Sequence, residues 1–321
     1  AYAVPVWMDA QFLSGPVSAG SSVIPIDTAM RDFHVGGLLG IATDPQTYEI
    51  ALLDAVDGGG VTLSAPLSAA WPEGAEVFPM RSARMPNELT LSRFDGGASY
   101  GKLRFECVDL NDWPAATGGT TYRGFAVLET PPNWTEDIGQ TYSRKIASFD
   151  PGVGGAFFDD ESGGGIALQT HRWLLDGRAA IDGFRRWLYA RQGRLSAFWL
   201  PTFAQDFIPV AAIGATGSTI DVEHAGYTAA VAQDVGRRDI RIDAASGVAY
   251  YRRITGAVEV SPTVERLTID APLGVTITPD QVRSISYCDL VRLDADAAEI
   301  AWWRNDVAES RLVTRGSRND L

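Results

Sequence analysis

Residues 176–207 read DGRAAIDGFRRWLYARQGRLSAFWLPTFAQDF, and they contain the clearest helix signal in the chain. Ile181, Phe184 and Leu188 recur at i, i+3 and i+7, a spacing that places them on one face of an α-helix. Trp187 borders that apolar face. We therefore expect an amphipathic helix that buries this face against neighbouring structure.

Both ends of this helix carry recognisable signals. Asp176 is suited to be the N-cap, because its carboxylate can accept from the unpaired amide N–H groups of the first turn. Gly193 is suited to end the helix in a left-handed conformation. The sequence thus predicts a helix over residues 176–192. Residues 195–201, a short apolar run closed by proline, predict a strand that meets a loop, so helix and strand form one packing unit.

The same stretch carries a family-like pattern. A helix end of the form aromatic-Leu-x-Ala-Arg-x-Gly-Arg is followed by Phe-Trp-Leu-Pro and then by an Asp. The matching residues are Trp187, Leu188, Ala190, Arg191, Gly193, Arg194, Phe198, Trp199, Leu200, Pro201 and Asp206. A second piece, YRGFAVLETPPNW, lies at residues 122–134. Together they resemble tail-tip proteins of bacteriophages with long non-contractile tails. The nearest group is the distal tail proteins, which join the tail tube to the baseplate.

Two segments of the chain resemble each other. Residues 61–67 (VTLSAPL) and 267–273 (LTIDAPL) each show a period-two strand that ends in Ala-Pro-Leu. The proline ends the strand ladder because it has no N–H to donate. Further strand-like runs flank both segments in the same order. We therefore expect two small antiparallel β domains, barrels or sandwiches, at residues 1–88 and 208–287.

The remaining residues predict a central domain and a C-terminal segment. Residues 89–207 alternate strand-like runs with loops around the helix. Two of these loops, residues 150–155 and 159–165, are glycine-rich and acidic, and the second predicts a hairpin tip or a mobile loop. Residues 288–321 contain three strand-like runs. The resemblance implies that these strands pack back on the central domain and that the central domain forms a ring. The predicted fold class is mainly β: two similar small antiparallel β domains flanking a central sheet-plus-one-helix ring-forming domain.

Length and charge narrow the function classes. A chain of 321 residues can hold two or three domains with a sizeable core. Its net charge of −13 and pI near 4.7 argue against direct nucleic-acid binding, because phosphate contacts need a basic surface. No apolar run approaches about 20 residues, so we expect no membrane insertion. Cys107 and Cys288 are the only cysteines, and we expect both to be reduced core residues.

Catalytic and metal-binding patterns are weak. Three consecutive acids at residues 159–161 lack the alternate spacing of an EF-hand, so they indicate a solvated loop, as do the scattered acids Asp289, Asp294, Asp296 and Glu299. His34, His171 and His224 lie in separate predicted elements without a zinc-binding spacing. There is no nucleophile elbow and no phosphate-binding loop. We therefore predict a protein that is not an enzyme, with no catalytic residue, metal or cofactor.

The resemblance implies a function in assembly. It predicts a structural virion protein of a tail tip, which forms a ring-shaped homo-oligomer (a hexamer in that family) and contacts the tail tube protein, the baseplate hub and the tape-measure protein. The small β domains would contact neighbouring tip proteins or a host surface. The candidate assembly or packing anchors are Trp187, Arg191, Arg194, Phe198, Trp199, Pro201, Trp134, Trp302 and Trp303.

Two alternatives remain open at this point. One is a neighbouring role, such as the baseplate hub or another minor tail protein. The other is a carbohydrate-binding module or a glycosidase, which nine tryptophans and 40 acidic residues permit, although no acid pair stands out. The opening Ala-Tyr-Ala-Val-Pro lacks the features of a secretion signal, so we expect assembly in the bacterial host cytoplasm and a final location in the virion tail.

Overall fold

The computed structural model describes residues 2–86, 91–93, 99–101, 103–109, 113–116, 119–135, 139–161, 165–232 and 235–317. Strands dominate these residues and only two α-helices occur among them, which confirms a mainly β fold. The chain forms two compact units. The first comprises Ala1–Pro114, Leu175–Gly183 and Ala301–Ala308, and the second comprises Ala115–Leu174, Phe184–Ile300 and Glu309–Leu321.

The N-terminal third is built of short and medium strands. They are β1 (Tyr2–Pro5), β2 (Gln11–Phe12), β3 (Val23–Ile24), β4 (Leu38–Asp44), β5 (Thr47–Asp57), β6 (Gly60–Leu63), β7 (Glu76–Arg84), β8 (Leu91–Arg93), β9 (Ser99–Gly101) and β10 (Glu106–Cys107). Eight of them form one sheet in the order β1-β7-β4-β5-β6-β3, with β2 and β10 also paired to β7. The strands β8 and β9 pair with each other.

The middle third contains the helix. Its elements are β11 (Thr121–Tyr122), β12 (Phe125–Val127), β13 (Gly139–Ser143), β14 (Ile146–Phe149), β15 (Phe157–Asp160), β16 (Ile166–Asp176), α1 (Arg178–Arg191) and β17 (Phe198–Pro201). The last third holds β18 (Thr219–Glu223), α2 (Tyr227–Ala230), β19 (Asp239–Ala244), β20 (Ala249–Ser261), β21 (Val264–Ile269), β22 (Val282–Leu293), β23 (Glu299–Arg304) and β24 (Val307–Gly316). A twelve-stranded sheet runs β11-β12-β17-β22-β19-β20-β21-β18, and β24 links β22 to β16 and β23.

The two segments that end in Ala-Pro-Leu share one strand order. The first runs β7-β4-β5-β6-β3 and the second runs β22-β19-β20-β21-β18, and every neighbouring pair is antiparallel. Even a β-bulge recurs, between Leu53 and Ala55 against β6 and between Ile254 and Gly256 against β21. We call these two five-strand arrangements the first and the second copy. A bulge bends its strand at a defined place, so the two copies bend alike.

Each copy surrounds its own apolar core. Leu39 and Ile41 of β4 are fully buried in the first core, and Ile240 and Ile242 hold the matching positions of β19 in the second. The leucines of the Ala-Pro-Leu turns, Leu67 and Leu273, are buried in the respective cores. The period-two pattern read from the sequence therefore marks the inward face of both sheets.

Strand β22 connects the second copy to the central sheet without a break. Its first half pairs with β19, and its second half pairs with β17 through Cys288 to Val291. The predicted boundary between residues 287 and 288 thus falls inside one continuous strand. Antiparallel pairing on successive stretches of a 12-residue strand makes one sheet from segments that the sequence alone divides.

Helix α1 buries the face predicted for it. Ile181, Phe184, Trp187 and Leu188 are all at most 8% exposed. The helix ends at Arg191, and Gly193 adopts the left-handed conformation predicted at its end, with φ of 62°. The apolar spacing therefore located the helix and its buried side.

The predicted N-cap is wrong. Asp176 is the last residue of β16, and the helix begins at Arg178 after Gly177, whose φ is 85°. The Gly177 carbonyl accepts from the Ile181 amide N–H at 3.2 Å. A glycine at positive φ reverses the chain from strand to helix here, which moves the cap position one residue beyond the aspartate.

The prediction for the two cysteines is half right. Both thiols are free, and Cys288 is fully buried in the sheet, where burial raises its pKa well above the ordinary value. Cys107 is exposed, so it is not a core residue. It lies on the two-residue strand β10 beside Ala83 of β7, and a strand this short leaves its side chain at the surface.

Two glycines of the helix region predict opposite effects on stability. At Gly193 an added Cβ would lie 2.8 Å from Asp296 Cα, and the φ is positive, so Gly193→Ala should destabilise the protein by about 1–3 kcal/mol. Gly183 lies inside the helix with nothing within 4 Å of an added Cβ, so Gly183→Ala should stabilise it by about 0.5–1 kcal/mol. Urea unfolding measures the change in the free energy of unfolding of each variant. A change of the same sign in both variants would contradict the prediction.

His171 predicts a loss of stability in mild acid. Burial lowers the pKa of this imidazole from 6.5 to about 4. Among the described residues, the ring has one hydrogen-bond partner, Gln169 Oε1, which lies 3.2 Å from its Nε2. The folded state therefore disfavours the protonated imidazole. The stabilisation that comes from keeping His171 neutral is complete above pH 6.5 and is lost as the pH falls towards 4.

The expected loss is about 3 kcal/mol, the free energy of a shift of this size. His171→Phe removes the titrating group and keeps an aromatic ring in place. Urea unfolding from pH 7 to pH 4 should show a steeper decline for the wild type than for the variant. Parallel pH profiles would contradict the assignment, since the remaining acids titrate in both proteins.

Candidate assembly surface

Three of the predicted anchors pack around helix α1. Trp187 meets the ring of Phe198 edge-on at 4.8 Å, and Phe198 is fully buried. The guanidinium of Arg191 lies 5.2 Å from the centre of the Trp187 ring, a cation–π geometry, and Arg191 is only 4% exposed. Burial lowers the pKa of this guanidinium, and the ring face offsets part of that cost. These three side chains lie inside the second unit.

Trp199 and Pro201 are also internal. Trp199 Nε1 donates to the Tyr122 carbonyl at 2.8 Å, and the two rings lie 5.3 Å apart. Pro201 is buried opposite Cys288 of β22. The Trp199 bond ties β17 to Tyr122, at the start of the 122–134 segment. In this chain these anchors hold the fold.

The other anchors lie at or near the surface. Arg194 forms a two-point ion pair with Asp296, with Nη2 to Oδ2 at 2.8 Å, and both side chains are more than 60% exposed. Trp134 is 52% exposed and Trp303 is 60% exposed. The Trp302 ring lies 5.6 Å from the Arg178 guanidinium. Trp134 and Trp303 are therefore the predicted aromatic anchors with substantial area free for a partner.

One exposed aromatic surface was not predicted from the sequence. Strands β14 and β15 form a separate two-stranded sheet, here called the aromatic ribbon. Every residue from Gly139 to Asp159 is exposed. Phe149, Phe157 and Phe158 are 67%, 72% and 73% exposed, and Ile146 is 54% exposed. Large apolar side chains concentrated on one exposed element mark an interaction site more often than single ones do.

Both faces of the aromatic ribbon are apolar. Phe149 lies directly opposite Phe157 in the register, so these two rings share one face. Ile146 and Phe158 belong to the other face, since they alternate with Phe149 and Phe157 along the strands. An isolated two-stranded hairpin is marginally stable in water. This ribbon therefore lacks a core of its own on either side.

Ion pairs hold the base of the aromatic ribbon. Arg144 Nη1 lies 2.7 Å from Asp160 Oδ2, and Lys145 Nζ lies 2.5 Å from Glu161 Oε2. The Glu161 amide N–H also donates to the Lys145 carbonyl at 3.0 Å. Exposed pairs add little stability, but they favour one register of the hairpin.

The predicted hairpin tip is therefore misplaced. Asp159 and Asp160 belong to β15, while residues 150–156 form the turn. Asp150 Oδ1 accepts from the Gly152 amide N–H at 2.8 Å, and Gly152 and Gly154 adopt positive φ. The glycine-rich runs at residues 150–155 and 159–165 both carry turn signals. The pairing of β14 with β15 places the turn at the first of them. Residues 162–164 of the predicted tip lie outside the described residues.

The second group of acids is also engaged in ion pairs. Asp294 Oδ1 lies 2.9 Å from Arg315 Nε, and Asp289 Oδ1 lies 3.5 Å from Arg237 Nη1. Such pairing suits surface carboxylates that support strands.

One polar group brought together by the fold was missed by sequence reasoning. His224, Glu259 and Glu265 place a ligand atom each within 4.8 Å of one another. They come from the end of β18 and from both strands of the β20–β21 hairpin. No sequence spacing predicts this group, because the register of the strands determines which of these side chains lie close together.

No protein-family model matches the chain, and the search of curated proteins returned no significant match. Within the described residues, no helix is both long and apolar enough to cross a membrane.

The exposure of the aromatic ribbon predicts where chymotrypsin cuts first. Phe149, Phe157 and Phe158 are accessible, whereas buried aromatic residues such as Phe198 require unfolding to be cleaved. We expect cuts at these three positions well before any cut at Phe198, as measured by intact mass over a time course. The matched control replaces all three by serine, and it should delay cleavage in this segment. Earlier cutting at Phe198 would contradict the exposed ribbon.

Proposed function

We propose that this chain is a structural virion protein of a siphophage-like tail tip, and that it acts as a distal tail protein whose ring joins the tail tube to the baseplate. The observation that carries the proposal is the aromatic ribbon, an element with apolar side chains on both faces and no core of its own. Such an element becomes stable when other chains cover it.

Two-sided exposure favours a ring over a simple pair. A flat neighbour covers one face of the ribbon, so the second face needs a second neighbour. Heterologous contacts that close by rotation give every subunit two neighbours. A ring of identical subunits therefore covers both the Phe149–Phe157 face and the Ile146–Phe158 face.

The apolar area is of the right size for assembly. Covering the three Phe and one Ile side chains removes roughly 500 Å² from water. At about 25 cal/mol per Å², that is on the order of 10 kcal/mol. This total is shared between two contacts, one on each face of the ribbon. Association costs about 4–15 kcal/mol in lost freedom of motion, so a single contact is marginal and a closed ring, with two contacts per subunit, is favoured.

The resemblance at residues 120–207 supports a phage tail tip as the particle. In the resembled family the ring is a hexamer, and its neighbours are the tail tube protein, the baseplate hub and the tape-measure protein. The two copies that share a strand order would contact other tip proteins or a host surface. The internal anchors Trp187, Phe198 and Trp199 would keep that centre rigid.

The first experiment measures the mass of the protein in solution by light scattering over a range of concentrations. We expect a closed assembly near six subunits. Two double variants test the ribbon: Phe149→Ser with Phe157→Ser removes one apolar face, and Ile146→Ser with Phe158→Ser removes the other. Because each face would meet a different neighbour, either variant should shift the assembly to the monomer.

Tyr48→Ser is the matched control, since Tyr48 is 61% exposed on β5, outside the ribbon. It should leave the mass unchanged. Three subunits would favour the alternative role of a baseplate hub. A wild-type monomer at every concentration contradicts the ring, and it would favour the carbohydrate-binding alternative, which a glycan array with the Trp134→Ala and Trp303→Ala variants then tests.

A further inference from the structure

Two carboxylates face each other across the β20–β21 hairpin. Glu259 and Glu265 are directly opposite in the register, next to the bulge between Glu259 and Ser261. Like charges directly opposite on antiparallel strands destabilise the pairing. The hairpin therefore carries an electrostatic cost that a neighbouring positive charge would relieve.

Glu265 is held in place by backbone hydrogen bonds. The amide N–H groups of Ala225, Tyr227 and Thr228 donate to its carboxylate at 3.0, 3.1 and 2.8 Å. The residue is fully buried, and these three donors fix the position of its carboxylate. One carboxylate of the pair thus has a fixed position.

His224 completes the group. Its Nε2 lies 3.5 Å from Glu259 Oε1, and its amide N–H donates to the Thr263 carbonyl in the hairpin turn at 2.9 Å. The backbone bond holds the main chain of His224 against the hairpin turn. All three ligand atoms lie within 4.8 Å of one another, and the side chains of His224 and Glu259 remain 30% and 53% exposed, so an ion can enter from solvent.

We propose that His224, Glu259 and Glu265 bind a divalent transition-metal ion, with Zn²⁺ as the preferred ion. Imidazole and carboxylate together are ligands that zinc accepts, whereas Ca²⁺ takes six or more oxygen ligands. Two carboxylates match the charge of the ion, and three protein ligands leave its fourth position open.

The bound ion would have a structural consequence. It would cancel the repulsion between Glu259 and Glu265 and tie the end of β18 to the tip of the β20–β21 hairpin. Binding to the folded state alone raises stability by mass action. This inference does not rest on the tail-tip function, because it concerns ligand chemistry within one chain.

The test is titration calorimetry of the chelator-treated full chain with Zn²⁺, in a Cys107→Ser background that removes the one exposed thiol. We expect one ion per chain and a rise in melting temperature. His224→Ala and Glu259→Gln should each weaken binding by about 100-fold or more. Glu265 is left intact, since its carboxylate holds three backbone N–H groups and its loss would disturb the fold.

His34→Ala is the matched control, because it removes a histidine in the first unit and should leave binding unchanged. Co²⁺ should produce d–d absorption bands that His224→Ala abolishes. Absence of Zn²⁺ binding overturns the proposal, as does binding that survives both His224→Ala and Glu259→Gln. Tighter binding of Ca²⁺ than of Zn²⁺ would also overturn it. None of these results depends on the subunit number, so they are separable from the ring measurement.

Discussion

The second unit depends on a continuous chain of aromatic contacts around helix α1. Trp173 of β16 lies 5.6 Å from Phe184, Phe184 lies 6.2 Å from Trp187, and Trp187 meets Phe198 of β17 at 4.8 Å. Aromatic pairs at these distances add to the free energy of area burial. The helix is the only long one among the described residues, so these rings are what fastens it to two strands of the sheet. That constraint in turn positions β16, from which the hairpin bearing the aromatic ribbon extends.

The two copies show how one strand order can serve two settings. Both close a core with the same pairing and the same bulge, yet their last strands have different neighbours. In the second copy, β22 runs on into the central sheet, pairs with β17 and reaches β24. A strand of 12 residues can serve two neighbours in succession because each pairing needs only a few residues of ladder. The chain thereby builds one sheet from two sequence segments.

Surface features follow from what these cores leave uncovered. The aromatic ribbon exposes large side chains on both faces, and the proposed ring would cover them. The opposed Glu259 and Glu265 are a smaller case of the same kind, in which the proposed ion would relieve a local electrostatic cost within one chain. In both places the stable core of the protein maintains a surface element whose own contacts are unfavourable. This is expected where a protein keeps a surface for a partner or an ion.

The sequence by itself determined the elements whose signals are local. The i, i+3, i+7 spacing located helix α1 and its buried face, and the period-two strands with Ala-Pro-Leu endings marked the inward faces of both copies. Tertiary structure alone decided the helix start at Arg178, the exposure of Cys107, the hairpin turn at residues 150–156 and the meeting of His224 with two glutamates. The helix start follows from the turn at Gly177, and the other three depend on which strands pair and in which register. Register is set by the fit of whole sheets, and no short window of sequence contains it.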